Sequence, residues 1–261
     1  MDSGFHLAKW YLDCIAEDGT TVIGYAARLS WKQFSLHYAS LLRCGPDRTP
    51  DTSTSLFASD FPVQNNDTIE WSCKGLSVRG AWKQKLTPVE RTLLQNELGF
   101  IRWTCHMPGA EAAVTVGNET VRGLGYAEFL EMTIPPWKLP IDELRWGRFV
   151  SPTDSLVWID WKGSHPLELV LHNGSVIDCS MINDSMIRST DGSMVFSMDR
   201  STVIRSGALI NTALKRIPLI ESVVPKNIVL TDECKWLSRS MLQNNGQTTT
   251  GFSIHEIVRF V

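Results

Sequence analysis

The chain has 261 residues and a formal net charge of −3, and no run of Lys or Arg forms a basic stripe, which argues against a nucleic-acid partner. No stretch approaches the roughly 18 apolar residues of a membrane-spanning helix, and the first residues lack the basic and apolar regions of a signal peptide. We therefore expect a cytoplasmic protein without a membrane span.

Metal and cofactor motifs are absent from the sequence. The six cysteines form no C-x-x-C pair, and no two of the six histidines stand at i, i+2. In a chain without a secretion signal such cysteines are expected to be reduced and buried. No P-loop, nucleophile elbow or complete dinucleotide-binding motif occurs. The sequence thus predicts neither a metal nor a cofactor.

Strand patterns dominate the N-terminal part of the chain. K-W-Y-L-D-C-I-A-E runs to the hairpin dipeptide Asp18-Gly19, and V-I-G-Y-A-A-R-L-S-W follows it. The next strand patterns are F-S-L-H-Y-A-S-L-L and, after a polar loop, I-E-W-S-C-K-G-L-S-V-R-G-A-W.

One segment carries the signals of a short helix. Thr87 can be its N-cap, Pro88 its first residue and Glu90 the second half of a capping box, while Gly99 follows its last turn. We expect a helix over Pro88–Leu98 that connects two groups of strands.

Strand patterns resume after this segment and continue to the end of the chain. Among them is a hairpin at Asn173-Gly174, the dipeptide of a type I′ turn. Many short strands separated by turn residues predict an all-β fold with two antiparallel barrels or half-barrels packed together. We place a soft boundary between Gly109 and Gly123, which gives domains 1–120 and 121–261.

Four motifs carry a family resemblance: G-L-G-Y-A-E, W-G-R-F after a Pro-rich bend, W-I-D-W, and the closing G-F-S-I-H-E-I-V-R-F. Together they resemble the lipocalin-like (calycin) proteins related to hydroxyneurosporene synthase and the AttH-type proteins. The resemblance implies two lipocalin-like barrels and action on apolar small molecules. Gly125, Tyr126, Trp146 and Gly147 carry over, whereas the catalytic His and Asp of the hydratases have no counterparts at matching positions.

Glu128 and Arg148 are the candidate catalytic pair. Alternation along a strand places Tyr126 with Glu128 on one face, and Trp146 with Arg148 on one face of a later strand. Inside a barrel an Arg–carboxylate pair can be bidentate and strongly oriented, with Glu128 as acid or orienting carboxylate. The alternative is a buried salt bridge that closes one end of a barrel and fixes its packing.

Further candidates would line the substrate pocket: Tyr126, Glu131, Trp137, Trp146, Trp158 and His255. Tryptophan faces can stabilise a developing carbocation, although the same residues can equally be core. Trp158 and Trp161 fall on opposite faces, so at most one of them enters a given barrel. His255 and Glu256 are adjacent on a strand, which prevents them from acting at one site as an acid–base pair.

These features favour a cofactor-independent site for an apolar, isoprenoid- or polyketide-like small molecule that the protein isomerises, cyclises or hydrates. A non-catalytic carrier of a hydrophobic ligand is the alternative, and a scaffold without a ligand is a third. The sequence leaves them open because the same residue types hold a hydrophobe and transform it.

Overall fold

The computed structural model describes residues 4–56, 60–199, 202–208 and 230–260. The chain divides into two compact units, Met1–Lys138 and Leu139–Val261. The boundary lies later than the predicted one after residue 120, because strand β10 (Glu119–Met132) pairs with β1 (Phe5–Ile15) and so belongs to the first unit.

The first unit is a ten-stranded antiparallel sheet with the strand order β4-β3-β2-β1-β10-β9-β7-β6-β5, and β8 pairs with β9 beside this path. Its remaining strands are β2 (Thr21–Trp31), β3 (Phe34–Gly45), β4 (Arg48–Ser55), β5 (Val63–Asn65), β6 (Thr68–Cys73), β7 (Val78–Gln84), β8 (Val89–Asn96) and β9 (Gly99–Val116).

The second unit repeats this topology strand for strand. Its described residues form a sheet ordered β14-β13-β12-β11-β20-β19-β17-β16-β15, with β18 beside β19. The strands are β11 (Glu143–Val150), β12 (Ser155–Lys162), β13 (Leu167–His172), β14 (Ser175–Val176), β15 (Cys179–Ile182), β16 (Met186–Ser189), β17 (Met194–Met198), β18 (Thr202–Ala208), β19 (Asp232–Asn244) and β20 (Gln247–Arg259). The predicted all-β architecture of two half-barrels is confirmed.

Each sheet buries an apolar cluster on one face. In the first unit this cluster includes Trp10, Trp71 and Trp82, and in the second it includes Trp158 and Phe196. Because side chains alternate along a strand, the neighbours of these residues in sequence lie on the opposite face. Both faces of the central strands therefore carry distinct sets of side chains.

The predicted helix over Pro88–Leu98 is wrong. Residues Val89–Asn96 form β8, which pairs with β9 and turns at Glu97 and Leu98, where the Leu98 amide donates to Asn96 Oδ1 at 2.9 Å. An isolated helix of this length is marginal in water, so pairing along β9 outweighs the capping signals. In the described residues the helical elements are two 3₁₀ turns, Lys74–Leu76 and Pro136–Lys138.

The predicted hairpins are present. His172 pairs with Ser175, and both Asn173 and Gly174 have positive φ (50° and 81°), as a type I′ turn requires. Gly19, with φ 92°, lies in the turn between β1 and β2.

Candidate functional site

Glu128 is held by two buried aromatic donors. Its Oε2 accepts hydrogen bonds from Tyr126 OH at 2.7 Å and from Trp103 Nε1 at 2.6 Å. Tyr126 precedes it by two residues on β10, on the same face as predicted, and Trp103 lies on the paired strand β9. The two donors are 0% and 2% exposed, whereas Glu128 is only half-buried. The carboxylate is thus fixed in orientation, on a residue that is partly exposed.

The Tyr126 phenol and the nearby Cys105 thiol both remain protonated at neutral pH. Burial raises the pKa of the Tyr126 phenol well above its usual value, and the adjacent Cys105 and Glu128 raise it further. Burial likewise raises the pKa of the Cys105 thiol, which is hydrogen-bonded to Tyr126. Tyr126 therefore acts as a neutral donor to the carboxylate.

Further aromatic rings pack beside Tyr126 on this face of the sheet. Tyr11 on β1 is the cross-strand neighbour of Glu128 on β10. Its ring makes edge contacts with the rings of Tyr126 and Tyr25, at centroid distances of 5.9 and 5.4 Å. Lys9 Nζ lies 5.1 Å from the Tyr25 centroid. All three tyrosines are buried. We call Tyr11, Trp103, Cys105, Tyr126 and Glu128 the β10 cluster.

The β10 cluster lies on the face of the sheet opposite the apolar core. Ala127 belongs to that core and Phe129 packs against it, so Glu128 points the other way. The face that Glu128 shares is also buried, since it carries Tyr11, Trp103 and Tyr126.

Arg148 lies on β11 of the second unit, on the face opposite that unit's core residue Phe149. It is fully buried. Glu128 and Arg148 thus belong to sheets of different units, so the predicted pair inside one barrel is wrong. The error follows from the boundary, because a division after residue 120 assigns both strands to one domain.

Trp146 shares its face with Arg148 and lies beside an ion pair. Lys235 on β19 bonds to Glu256 on β20, and Lys235 Nζ lies 5.2 Å from the centroid of the Trp146 ring. Lys235 is 1% exposed.

His255 faces the interior of the second unit, on the side opposite Glu256 as predicted. Its Nε2 lies 3.0 Å from Ser238 Oγ, and its ring stacks on Trp236 with centroids 5.3 Å apart. The ring centroids of Trp158 and His255 are 6.4 Å apart. Trp158 belongs to the apolar core, which was the alternative interpretation of the tryptophans.

Glu131 and Trp137 lie elsewhere in the first unit. Glu131 Oε1 is 3.0 Å from His6 Nε2, on the face of β10 opposite Glu128. Trp137 contacts the rings of Trp31 and Phe5, with centroids 4.8 and 6.0 Å away. The structure thus brings together Tyr126 and Glu128, and it places the remaining pocket candidates away from them or in the second unit.

Sequence reasoning missed Trp103 and Cys105. Alternation along β9 puts them on one face, but their pairing with β10 depends on register. Gly125 pairs with Ala110 and Glu128 with Cys105, with register shifts between them where β9 contains Pro108 and Gly109. A proline in a strand favours such a bulge, although its effect on register is not readable from sequence.

Two glycines of the resemblance have a packing role. A Cβ at Gly147 would overlap the indole of Trp158, and one at Gly125 would lie 2.6 Å from the carbonyl oxygen of Asp13. Both positions therefore require the close approach that only glycine allows.

Within the described ranges no group of three or more His, Cys, Asp or Glu is placed to hold a metal ion, and no helix is long and apolar enough to cross a membrane. All six cysteines carry thiols rather than disulfides, and four of them are buried.

No family model and no curated protein matches the sequence. Solved structures do match over nearly the whole chain. CghA has a TM-score of 0.59 at 10% identity, covering 98% of this chain and 89% of CghA, and it has also been solved with Sch210972. A putative AttH from Nitrosomonas europaea has a TM-score of 0.56 at 10% identity, covering 98% and 93% of the two chains.

Kievitone hydratase from Nectria haematococca has a TM-score of 0.50 at 11% identity, covering 99% of this chain and 90% of the hydratase. At these identities the likeness concerns the fold. The chain therefore has the lipocalin-like fold that CghA, the AttH protein and kievitone hydratase share.

Proposed function

We propose that the protein binds an apolar, isoprenoid- or polyketide-like small molecule at the β10 cluster and isomerises, cyclises or hydrates it without a cofactor. The observation that carries this proposal is the half-buried Glu128 carboxylate, fixed by Tyr126 and Trp103 among buried aromatic rings. A few oriented polar groups in an aromatic wall are the usual anatomy of a small-molecule site.

Glu128 is the group that handles the proton in this proposal. Its Oε2 accepts hydrogen bonds from two donors, which orient the carboxyl group. The other oxygen, Oε1, serves for proton transfer or charge stabilisation. Tyr126 and Trp103 are positioning residues. Tyr11 supplies an aromatic face that can stabilise developing positive charge. Arg148, which is not part of the β10 cluster, has no role in the proposed reaction.

The fold neighbours support a small-molecule function. CghA was solved with the small molecule Sch210972, and another neighbour is a hydratase. We further propose that the protein works in the cytoplasm and has no nucleic-acid partner, since its net charge is negative and no basic stripe occurs.

Native mass spectrometry of freshly purified protein tests the binding step. We expect a copurifying apolar molecule, and we expect a bulky change beside the carboxylate, Tyr11→Trp, to remove it. The exposed change Glu111→Gln on β9 is the matched control and should retain it. Loss of the molecule from neither variant, or from both, contradicts the location of the site.

A carrier is the second candidate function. A carrier and an enzyme would use the same β10 cluster, so they differ only in what happens to the ligand after it binds. A carrier releases its ligand with unchanged mass and connectivity, whereas the proposed enzyme changes connectivity or adds water.

A further inference from the structure

A cavity lies at one end of the first sheet, away from the β10 cluster. It has a volume of about 260 Å³ and is formed where the turns β1–β2, β3–β4 and β9–β10 come together. Glu119, on its edge, and Glu128 are nine residues apart on β10, which corresponds to about 30 Å at ~3.3 Å per residue. The cavity is therefore separate from the β10 cluster.

The inner wall of this cavity is apolar. Val22 belongs to the core of the unit, and Val116 and Val121 pack against that core. Cys44 is fully buried, and burial raises the pKa of its thiol to about 11, so it is neutral at pH 7. An apolar molecular surface is the natural occupant of such a wall.

Two guanidinium groups line the outer part of the cavity. Arg43 Nη2 lies 3.0 Å from Asp51 Oδ2, and Arg48 Nη2 lies 2.9 Å from Glu119 Oε2. The same carboxylates also lie near the other arginine, with Arg43 Nη1 3.7 Å from Glu119 Oε2 and Arg48 Nη1 4.0 Å from Asp51 Oδ2, and Asp47 is a further lining residue. The two carboxylates are 43% and 67% exposed. Exposed ion pairs are worth about 0–1 kcal/mol, so a better-placed carboxylate can replace either partner.

We propose that this cavity binds a short-chain monocarboxylate. The apolar tail lies against Val22, Val116 and Val121, and the carboxylate bonds to Arg43 and Arg48, which can each offer a fork of two N–H groups. At about 260 Å³ the cavity has room for a short alkyl chain, and hexanoate is a suitable probe.

Isothermal titration of the full chain with hexanoate at low ionic strength tests the proposal. Hexan-1-ol and hexylammonium are matched probes with the same tail. We expect hexanoate to bind at least about tenfold tighter than either, because only its head group carries the negative charge that both arginines attract. Equal binding of the three, or no binding of hexanoate at concentrations up to about 10 mM, overturns the proposal.

Variants distinguish a specific site from general charge. Arg43→Gln should weaken hexanoate binding at least about tenfold, whereas Arg79→Gln, an exposed change on β7, should leave it unchanged. Val121→Trp should abolish binding by filling the cavity. Glu119→Gln should strengthen it severalfold by removing the competing carboxylate from both Arg48 and Arg43. Equal effects of the two arginine variants, or weaker binding after Glu119→Gln, would overturn the assignment.

Discussion

Glu128 and Glu256 occupy the same position in the two sheets. Each lies on the strand that pairs with the first strand of its unit, opposite an aromatic residue: Tyr11 for Glu128 and Trp146 for Glu256. On the other side Glu128 pairs with Cys105 and Glu256 with Lys235. One carboxylate is therefore held by neutral donors, and its counterpart is held in an ion pair.

This difference predicts unequal costs of the same substitution. Glu128→Gln should lower the free energy of unfolding by about 1 kcal/mol, because the amide oxygen still accepts from Tyr126 and Trp103. Glu256→Gln should cost about 3–5 kcal/mol, because it leaves the charge of buried Lys235 without this carboxylate. Urea denaturation measures both, and similar costs would show that the two environments are not distinct.

The hydrogen bond between Tyr126 and Glu128 should be energetically coupled. Tyr126→Phe removes the donor without changing the ring and should cost about 1–2 kcal/mol. In a double-mutant cycle with Glu128→Ala, which removes the acceptor, we expect a coupling energy of at least about 0.5 kcal/mol, because residues in one hydrogen-bond network normally couple by that much or more. Additive effects within error would exclude the bond.

Gly147 should not tolerate a side chain. Gly147→Ala places a methyl group in the space of the Trp158 indole, and overpacking of this kind costs about 1–3 kcal/mol. Adding Trp158→Phe, which removes the overlapping part of the indole, should recover part of that loss. Thermal denaturation of the single and double variants checks this, and a fully stable Gly147→Ala would contradict the packing.

Asp154 should contribute a pH-dependent stability. Burial opposes its charge, but hydrogen bonds from His172, Thr153 and Thr249 outweigh this and lower its pKa below 3.8. A carboxyl group with a lowered pKa in the folded state stabilises the fold above its unfolded pKa and loses that contribution as the pH falls through its folded pKa. The difference in unfolding free energy between wild type and Asp154→Asn should therefore shrink as the pH falls below about 4. A constant difference would contradict the lowered pKa.

The all-β class and the Asn173-Gly174 hairpin were predictable because alternation and turn residues act locally. The helix predicted over Pro88–Leu98 could not be ruled out from the sequence. Its capping signals are local, whereas the pairing with β9 that replaces it depends on residues outside the segment. Tyr126 and Glu128 could be placed on one face from spacing alone. The partner Trp103 could not, because the register shifts beside Pro108 decide which residues of β9 meet β10.

The division between the units had a similar origin. Residues 123–128 carry the first of the four motifs of the resemblance, and the predicted boundary lay before them. Strand β10 nevertheless completes the first sheet, whereas Arg148 pairs within the second. A sequence pattern identifies a strand, but not the sheet that it joins.

The central claim is that Glu128 acts chemically on a bound apolar molecule. Its most direct test is single-turnover conversion of the copurified ligand, or of its precursor, followed by mass spectrometry and nuclear magnetic resonance. We predict conversion by wild type and by Glu111→Gln, and bound but unconverted ligand with Glu128→Gln. Conversion by Glu128→Gln at the wild-type rate would contradict the claim.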